Sequence, residues 1–329
     1  MTPRPSRTSL ALAVAITTLS LAACSGGGAP PSQDSGSGGG SGDSSGYTIA
    51  MITHAPQGDT FWDKIQSGAQ QAAKNTGVTL NYSGDPDVTK QAQLIQTAVD
   101  SKVDGIAVSL ASPDGLRSAV ESARAAGIPV VAFNAGIDQY QDVGAQMFFG
   151  SDESLAGQSA GERIAADGGR HVLCVIQAAG VISLETRCAG VKKGIANTEN
   201  IQVNGQDDSA VTTSLQAKLG QDKSIDYVVT LGAPVALDAL KAKDGAGSSA
   251  KIVTFDLNTD AAQAIKDGRI AFSVDQQPYV QGYESVEALY LNKKNGNDLG
   301  GGKPVLTGPS FVDSSNIDTI LPFSKNNTR

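Results

Sequence analysis

A series of short apolar runs in this 329-residue chain ends in polar side chains that could meet a ligand. After Ile49-Ala50-Met51-Ile52 come His54 to Asp59, with the aromatic pair Phe61 and Trp62 just beyond. Ser109 stands near the end of the run from Gly105 to Leu110, and Asn134 follows Val130 to Phe133. The segment from Gln177 to Arg187 follows His171 to Ile176, while Gly232, Asp256 and Gln276 end three later runs. Together they supply carboxylates, amides, one hydroxyl and one guanidinium. Such donors and acceptors suit a neutral polyhydroxyl ligand, each group satisfying one or two hydroxyls. An aromatic face beside them could cover the apolar C–H side of a sugar ring. Each residue also has a plainer reading: Asn134 and Asp256 as turn residues, Phe61 and Trp62 as core. Phe61 fits the core face of the helix that follows, and Trp62, one step round, fits it less well. Recurrence at successive run ends is what favours a site.

The runs themselves read as buried strands. Ile49 to Ile52 is short and rich in branched side chains, and after the loop a helix restarts with Phe61, Ile65, Ala69 and Ala72 at helical spacing and Thr60 as its N-cap. Strands over Val78–Tyr82, Gly105–Leu110 and Val130–Phe133 alternate with helices over Thr89–Ser101 and from Pro113 to Ala126. This alternation predicts an α/β fold with parallel sheets and right-handed crossovers. In such a sheet the strand ends form the carboxyl edge where ligands bind. A composition change from Gln146 to Ser151 marks passage into a second α/β unit. There helices over Glu153–Asp167, Glu185–Asn197, Thr212–Leu219, Pro234–Lys243 and Asp260–Asp267 alternate with strands, and a long helix over Pro278–Lys293 leads to a tail read as a short strand. Two similar halves place the site in a cleft between them.

The 33 acidic and 25 basic residues give a net charge of -8, which disfavours nucleic acid or an anionic membrane surface as partner. Arg4 and Arg7 precede an apolar run from Leu10 to Leu21 that is short for a membrane span and ends in small residues. Leu21-Ala22-Ala23-Cys24 resembles the bacterial lipobox. Residues 1–23 are therefore expected to be a lipoprotein signal peptide, with Cys24 lipidated and 24–46 a Gly/Ser-rich tether holding the protein outside the cytoplasm at the cell membrane. An ordinary secretory signal is the alternative, and the low-complexity stretch after Cys24 favours lipidation. Cys174 and Cys188 then remain as an even pair in an oxidising compartment, which permits a disulfide; two buried free thiols are the alternative. With two histidines and no clustered thiols, no metal site is expected.

From Tyr47 to about Ser314 the chain resembles the periplasmic sugar-binding proteins of the ribose and galactose type, receptors of ABC importers. The likeness rests on THAPQGDTFWDKIQSGAQQAAKNTGV, VDGIAVSLASPDGL, AGIPVVAFN, FFGSDESLAGQSAGERIA, RCAGVKKGI, IVTFDLN and FSVDQQPYVQGY, in that order and spacing. It implies two doubly wound parallel-sheet domains, 47–149 with 276–308 and 150–275 with 309–329. Three hinge crossings join them, near Gly150-Ser151, Gln276 and Gly308, about which the domains close on ligand. It also implies a monomer without cofactor that delivers its sugar to the transmembrane subunits of a permease. Carried over residue by residue, Asp59, Phe61 and Trp62 would stack on and bond the sugar. Ser109, Asn134, Asp256 and Gln276 would complete the ring of contacts with Arg187, for which Glu185 is an alternative in the same turn. Ribose binders have Asp-Arg where Asn134-Ala135 stand, and Asn-Asp where Gly232-Ala233 stand. A less charged, roomier pocket follows, so a cyclic polyol such as inositol, or another monosaccharide, fits as well as ribose.

Competing classes have thinner support. Gly157-Gln158-Ser159-Ala160-Gly161 matches a hydrolase nucleophile elbow, but Ser159 falls inside a helical pattern instead of between strand and helix. A sugar-acting enzyme would need a carboxylate pair, for which Asp59 and Asp256 are the candidates. A regulator of the lac-repressor type shares the architecture, yet the chain shows an export signal and no helix-turn-helix. A receptor presenting its sugar to a membrane sensor would use the same cleft.

Overall fold

The computed structural model describes residues 44–56 and 58–329; the 1–23 leader, Cys24 and most of the tether lie outside the described residues. In chain order the first strands are β1 (Thr48–Thr53), β2 (Thr79–Gly84), β3 (Gly105–Ser109), β4 (Val130–Phe133) and β5 (Met147–Ser151). Then come β6 (Val172–Ile176), β7 (Thr198–Gln202), β8 (Tyr227–Thr230), β9 (Lys251–Phe255) and β10 (Ile270–Asp275), followed by β11 (Val305–Gly308) and β12 (Ser310–Asp313). Helices α1 (Thr60–Thr76), α2 (Val88–Asp100), α3 (Pro113–Ala125), α4 (Tyr140–Val143), α5 (Glu153–Ala166) and α6 (Ile182–Gly194) fall among the earlier strands. Among the later ones fall α7 (Asp208–Gln221), α8 (Ala233–Ala246), α9 (Thr259–Lys266), α10 (Pro278–Asn295) and α11 (Ile317–Lys325).

The strands form two six-stranded sheets, ordered β2-β1-β3-β4-β5-β11 and β7-β6-β8-β9-β10-β12. Neighbours run parallel, as at β1–β3 and β6–β8, except that β12 is antiparallel to β10. Strand periodicity explains the layers. Ala50, Ile52, Ile106 and Val108 face one core with α2 and α3, while Ile49, Met51 and Ala107 face the other with α1 and α10. In the second sheet Leu173 and Val175 face one layer, and Val172, Cys174 and Ile176 the opposite one. Strands buried on both faces need near-continuous apolar sequence, which is what the runs supply. The polar residues that end them are thereby left at the carboxyl edges.

Three expectations are corrected here. Met147 to Ser151 is not merely a boundary: it is strand β5, fully buried in the first sheet beside β11. Its Gly150-Ser151 ending resembles a turn, and its partner β11 is distant in sequence. The tail is β12 plus helix α11, which buries Ile317, Leu321 and Ser324 and was obscured by Pro322 inside it. Asp59, not Thr60, is the N-cap of α1, in extended geometry, with its carboxylate accepting from the Phe61 N–H at 2.9 Å. Ser159 lies in mid-helix. A Cβ on neighbouring Gly157 or Gly161 would stand 2.1 Å from Arg187 O or 2.4 Å from Val191 O, so these glycines allow α5 to pack closely on α6.

The chain passes between the sheets three times: after β5, after β10, and between β11 and β12. Both sheets point their carboxyl edges at the intervening space. That is where the candidate residues gather.

Candidate functional site

A cavity of about 840 Å³ lies between the two sheets, within the range that holds small ligands. Its walls take in Asp59, Phe61, Trp62 and Asn134 from one side and Arg187, Asp256 and Gln276 from the other side and the hinge. Ser109 is absent from those walls and fully buried.

Ser109 instead supports His54, which does line the cavity. The His54 N–H donates to Ser109 Oγ at 2.9 Å, and His54 Nδ1 lies 2.8 Å from the same oxygen. Gln91 Nε2, a donor, is 3.5 Å from that oxygen. The acceptor available for the Ser109 hydroxyl proton is thus Nδ1, which leaves the imidazole proton on Nε2. Burial, reinforced by the Arg187 charge, pushes the His54 pKa down to about 4, so the ring is neutral at pH 7. The site gains a neutral N–H donor that stood in the run-end stretch His54 to Asp59 but was not among the residues carried over by resemblance. The available signal was its position directly after β1.

The aromatic pair is arranged opposite to expectation. Trp62 is buried, its ring edge-on to His54 at 4.7 Å and to Phe61 at 5.2 Å, while Phe61 is half-buried. Helical phase alone put Phe61 on the core face. Trp62 packs in the core with Ile49, Met51 and Ile65 and against the His54 ring, leaving Phe61 the more open ring. Asp59 lines the cavity but also caps α1, and burial raises its pKa.

Asn134, Gln276 and Asp256 form one chain of hydrogen bonds from lobe to lobe. Asn134 Nδ2 donates to Gln276 Oε1 at 3.2 Å, and Gln276 Nε2 donates to Asp256 Oδ2 at 3.0 Å. Gln281 of α10 donates to Gln276 Oε1 at 3.1 Å, and the Thr307 hydroxyl donates to Gln276 O at 2.7 Å. Gln276 is therefore fixed between two crossings and reaches both lobes. Burial pushes the Asp256 carboxyl up to about 7, with Arg187 opposing that rise and Asp275 adding to it.

Arg187 is buried against Glu153 in a two-pronged ion pair, Nε on Oε2 and Nη2 on Oε1 at 3.0 Å. Its guanidinium lies 4.9 Å over the Phe255 ring. Burial opposes its charge, and the Glu153 carboxylate more than restores it. Glu153 was missing from the expected set; its signal was an acidic residue opening α5 that could face a buried Arg. Glu185 is exposed and accepts from the Gly180 N–H at 3.3 Å. Next to Arg187, Cys188 is bonded to Cys174 of β6 with Cα atoms 5.8 Å apart, tying α6 to the sheet. Away from the cleft, His171, Glu199 and Asp222 come within 4.8 Å of one another, but Lys218 Nζ already sits 2.8 Å from Glu199 Oε2.

Two cavity-lining residues carry buried oxygens with no hydrogen-bond partner among the described residues: Asp256 Oδ1 and Gln177 Oε1. A buried acceptor without a donor costs about 1–3 kcal/mol, so the arrangement calls for donors from a ligand.

Comparison with known proteins agrees with this architecture. A carbohydrate transporter of Acidothermus cellulolyticus 11B, solved in complex with myo-inositol, is 54% identical; the match covers 86% of this chain and 99% of that one, with a TM-score of 0.85. The xylose/arabinose-binding protein XylF of Sulfolobus acidocaldarius is 26% identical over 299 residues, covering 85% of this chain and 74% of its own. The ribose import binding protein RbsB of Bacillus subtilis is 26% identical over 254 residues, covering 75% and 82%. The family model for the periplasmic binding protein domain matches residues 49–297, a span that runs from β1 through α10 and so takes in the interlobe cleft. The chain belongs to the periplasmic binding protein domain family.

Proposed function

We propose that this protein is the extracytoplasmic solute-binding component of an ABC importer and captures a neutral monosaccharide or cyclic polyol, with myo-inositol the first candidate. The observation that carries the reading is Asp256, which lines the interlobe cleft and whose buried Oδ1 has no hydrogen-bond partner among the described residues. A hydroxyl is the donor that satisfies it without bringing a charge. His54 Nε2–H, Arg187 and Asn134 supply further polar contacts, and Phe61 offers a ring face. The pocket lacks the charged pair of ribose binders at Asn134-Ala135, and the Acidothermus protein, 54% identical, holds myo-inositol.

In this reading the lobes close about the three crossings and present the filled cleft to the permease as a monomer. Cys24 carries the lipid that keeps the protein at the membrane. The carboxylates Asp59 and Asp256 bind instead of catalysing: one caps α1 and the other is bonded to Gln276.

A thermal-shift panel of myo-inositol, D-ribose, D-xylose, D-glucose and D-galactose tests the proposal. A true ligand at 100 to 1,000 times its Kd stabilises by about 3–4 kcal/mol and is recovered unchanged. No shift with any member, or conversion of the ligand, contradicts it.

A further inference from the structure

We propose that Gln177 is a ligand-binding, specificity-determining residue, its side chain seated between Gly205 and Gly232 so that its amide meets a hydroxyl of the bound polyol. The inference rests on the polyol reading above. Gln177 directly follows β6, and β6 lies between β7 and β8 in the sheet. The segments leaving those two neighbours carry Gly205 and Gly232, so Gln177 is flanked on both sides by residues without side chains.

The contact geometry shows what the glycines provide. A Cβ on Gly205 would stand 2.7 Å from Gln177 Cβ and 3.0 Å from its carbonyl oxygen. A Cβ on Gly232 would stand 3.0 Å from Gln177 Nε2. Neither backbone requires glycine: Gly205 is not among the positive-φ residues, and Gly232 is extended at φ -167. At Gly232 the missing side chain leaves room for the Gln177 amide, while at Gly205 it allows close approach of the Gln177 main chain and Cβ. The main chain is anchored as well, since the Gly205 N–H donates to Gln177 O at 2.9 Å.

The amide held in this seat makes no hydrogen bond among the described residues. Gln177 Oε1 is buried and has no partner among the described residues, although Gln177 lines the cavity. Turning the amide over would put a buried donor in the same place, with the same demand for an outside partner. Asp256, whose Oδ1 is likewise buried without a partner among the described residues, lines the same cavity from the same sheet. Two acceptors on one wall suit a polyol that directs more than one hydroxyl toward the second lobe.

The test uses calorimetric titration of myo-inositol into the full chain and into Gln177→Leu, Gly232→Ala and the double variant. Gln177→Leu keeps the volume and removes the amide. It is expected to weaken binding by about tenfold or more, while the unliganded melting temperature stays within about 2 °C because no internal hydrogen bond is lost. Gly232→Ala should also weaken binding by displacing the amide, and should add nothing once Gln177 is Leu, a non-additivity that a purely structural role does not give. Gln177→Leu binding as tightly as the parent overturns the inference, as does a drop of about 5 °C or more in its unliganded melting temperature. A parent protein that binds neither myo-inositol nor any other member of the thermal-shift panel sinks the polyol reading and this inference together; a parent that binds while Gln177→Leu matches it sinks the inference alone.

Discussion

Asn134 and Asp256 occupy matching positions on opposite lobes, each just past a strand and each in the left-handed backbone region at φ 65 and φ 61. Asn and Asp tolerate that region better than other side chains, which is why both were also readable as turn residues. Their bonds through Gln276 make them more than turns. Burial raises the Asp256 carboxyl to about 7, above its unfolded value, so the folded protein holds an extra proton between about pH 4 and pH 7. The stability of the unliganded protein due to this group therefore falls as pH rises through that window. A ligand whose hydroxyls donate to the carboxylate favours the ionised form, so affinity should rise from pH 6 to pH 8. Titrations across that range are expected to show tighter myo-inositol binding at the upper end, and a flat profile for Asp256→Asn; an unchanged slope in the variant would count against the role of this carboxylate. Residue type and position brought Asn134, Asp256 and Gln276 to the cavity wall because parallel strands must end at one edge, whereas Arg187 lies inside α6 and was indicated by the family resemblance. They misplaced Ser109, whose hydroxyl is taken by His54, since occupancy by a neighbour from another strand leaves no mark in sequence.

At the scale of elements, α5, α6 and β6 form the support for the second lobe's half of the site. Glu153 from α5 holds Arg187 of α6, and the Cys174–Cys188 bond holds α6 to β6. The bond closes a loop with a sequence separation of 14, for which chain-entropy arguments give about 3 kcal/mol. The Cys174→Ser/Cys188→Ser variant is expected to lose about 2–4 kcal/mol in denaturant unfolding, and a loss below about 0.5 kcal/mol would show that α6 is held by packing alone. Most elements were legible because apolar runs bounded by turn residues dictate strands buried on both faces. The exceptions have particular causes. β5 ends in Gly150-Ser151 and pairs along one edge with β11, more than a hundred and fifty residues later, a long-range partner that local pattern does not reveal. Helix α11 carries an internal proline, and α6 starts at Ile182 without a side-chain cap.

Across the whole molecule, the three crossings converge at Gly308. A Cβ there would stand 2.9 Å from Asp275 O, 2.9 Å from Ser151 Oγ and 3.0 Å from Gln276 Cα, which belong to the other two crossings. No larger residue fits without moving at least one of them. Gly308→Ala is expected to cost about 1–3 kcal/mol by overpacking, read from chemical denaturation, whereas a neutral effect would mean that the crossings separate freely. Arg329 pairs with buried Asp275 and donates to Ser310 Oγ at 3.3 Å, adding a further tie at the same place. Gln276 thus joins the crossings to the cavity-lining Asn134 and Asp256 in one hydrogen-bonded group. That two lobes grip one polyol is the central claim, and calorimetric titration of myo-inositol into the parent, Asn134→Gly and Asp256→Gly tests it most directly. Glycine keeps the left-handed backbone available at both positions, so lost binding reports lost side chains. Saturable one-to-one binding by the parent, weakened by about tenfold or more in each variant, is the expected result; no binding by the parent, or parental affinity in both variants, would contradict it.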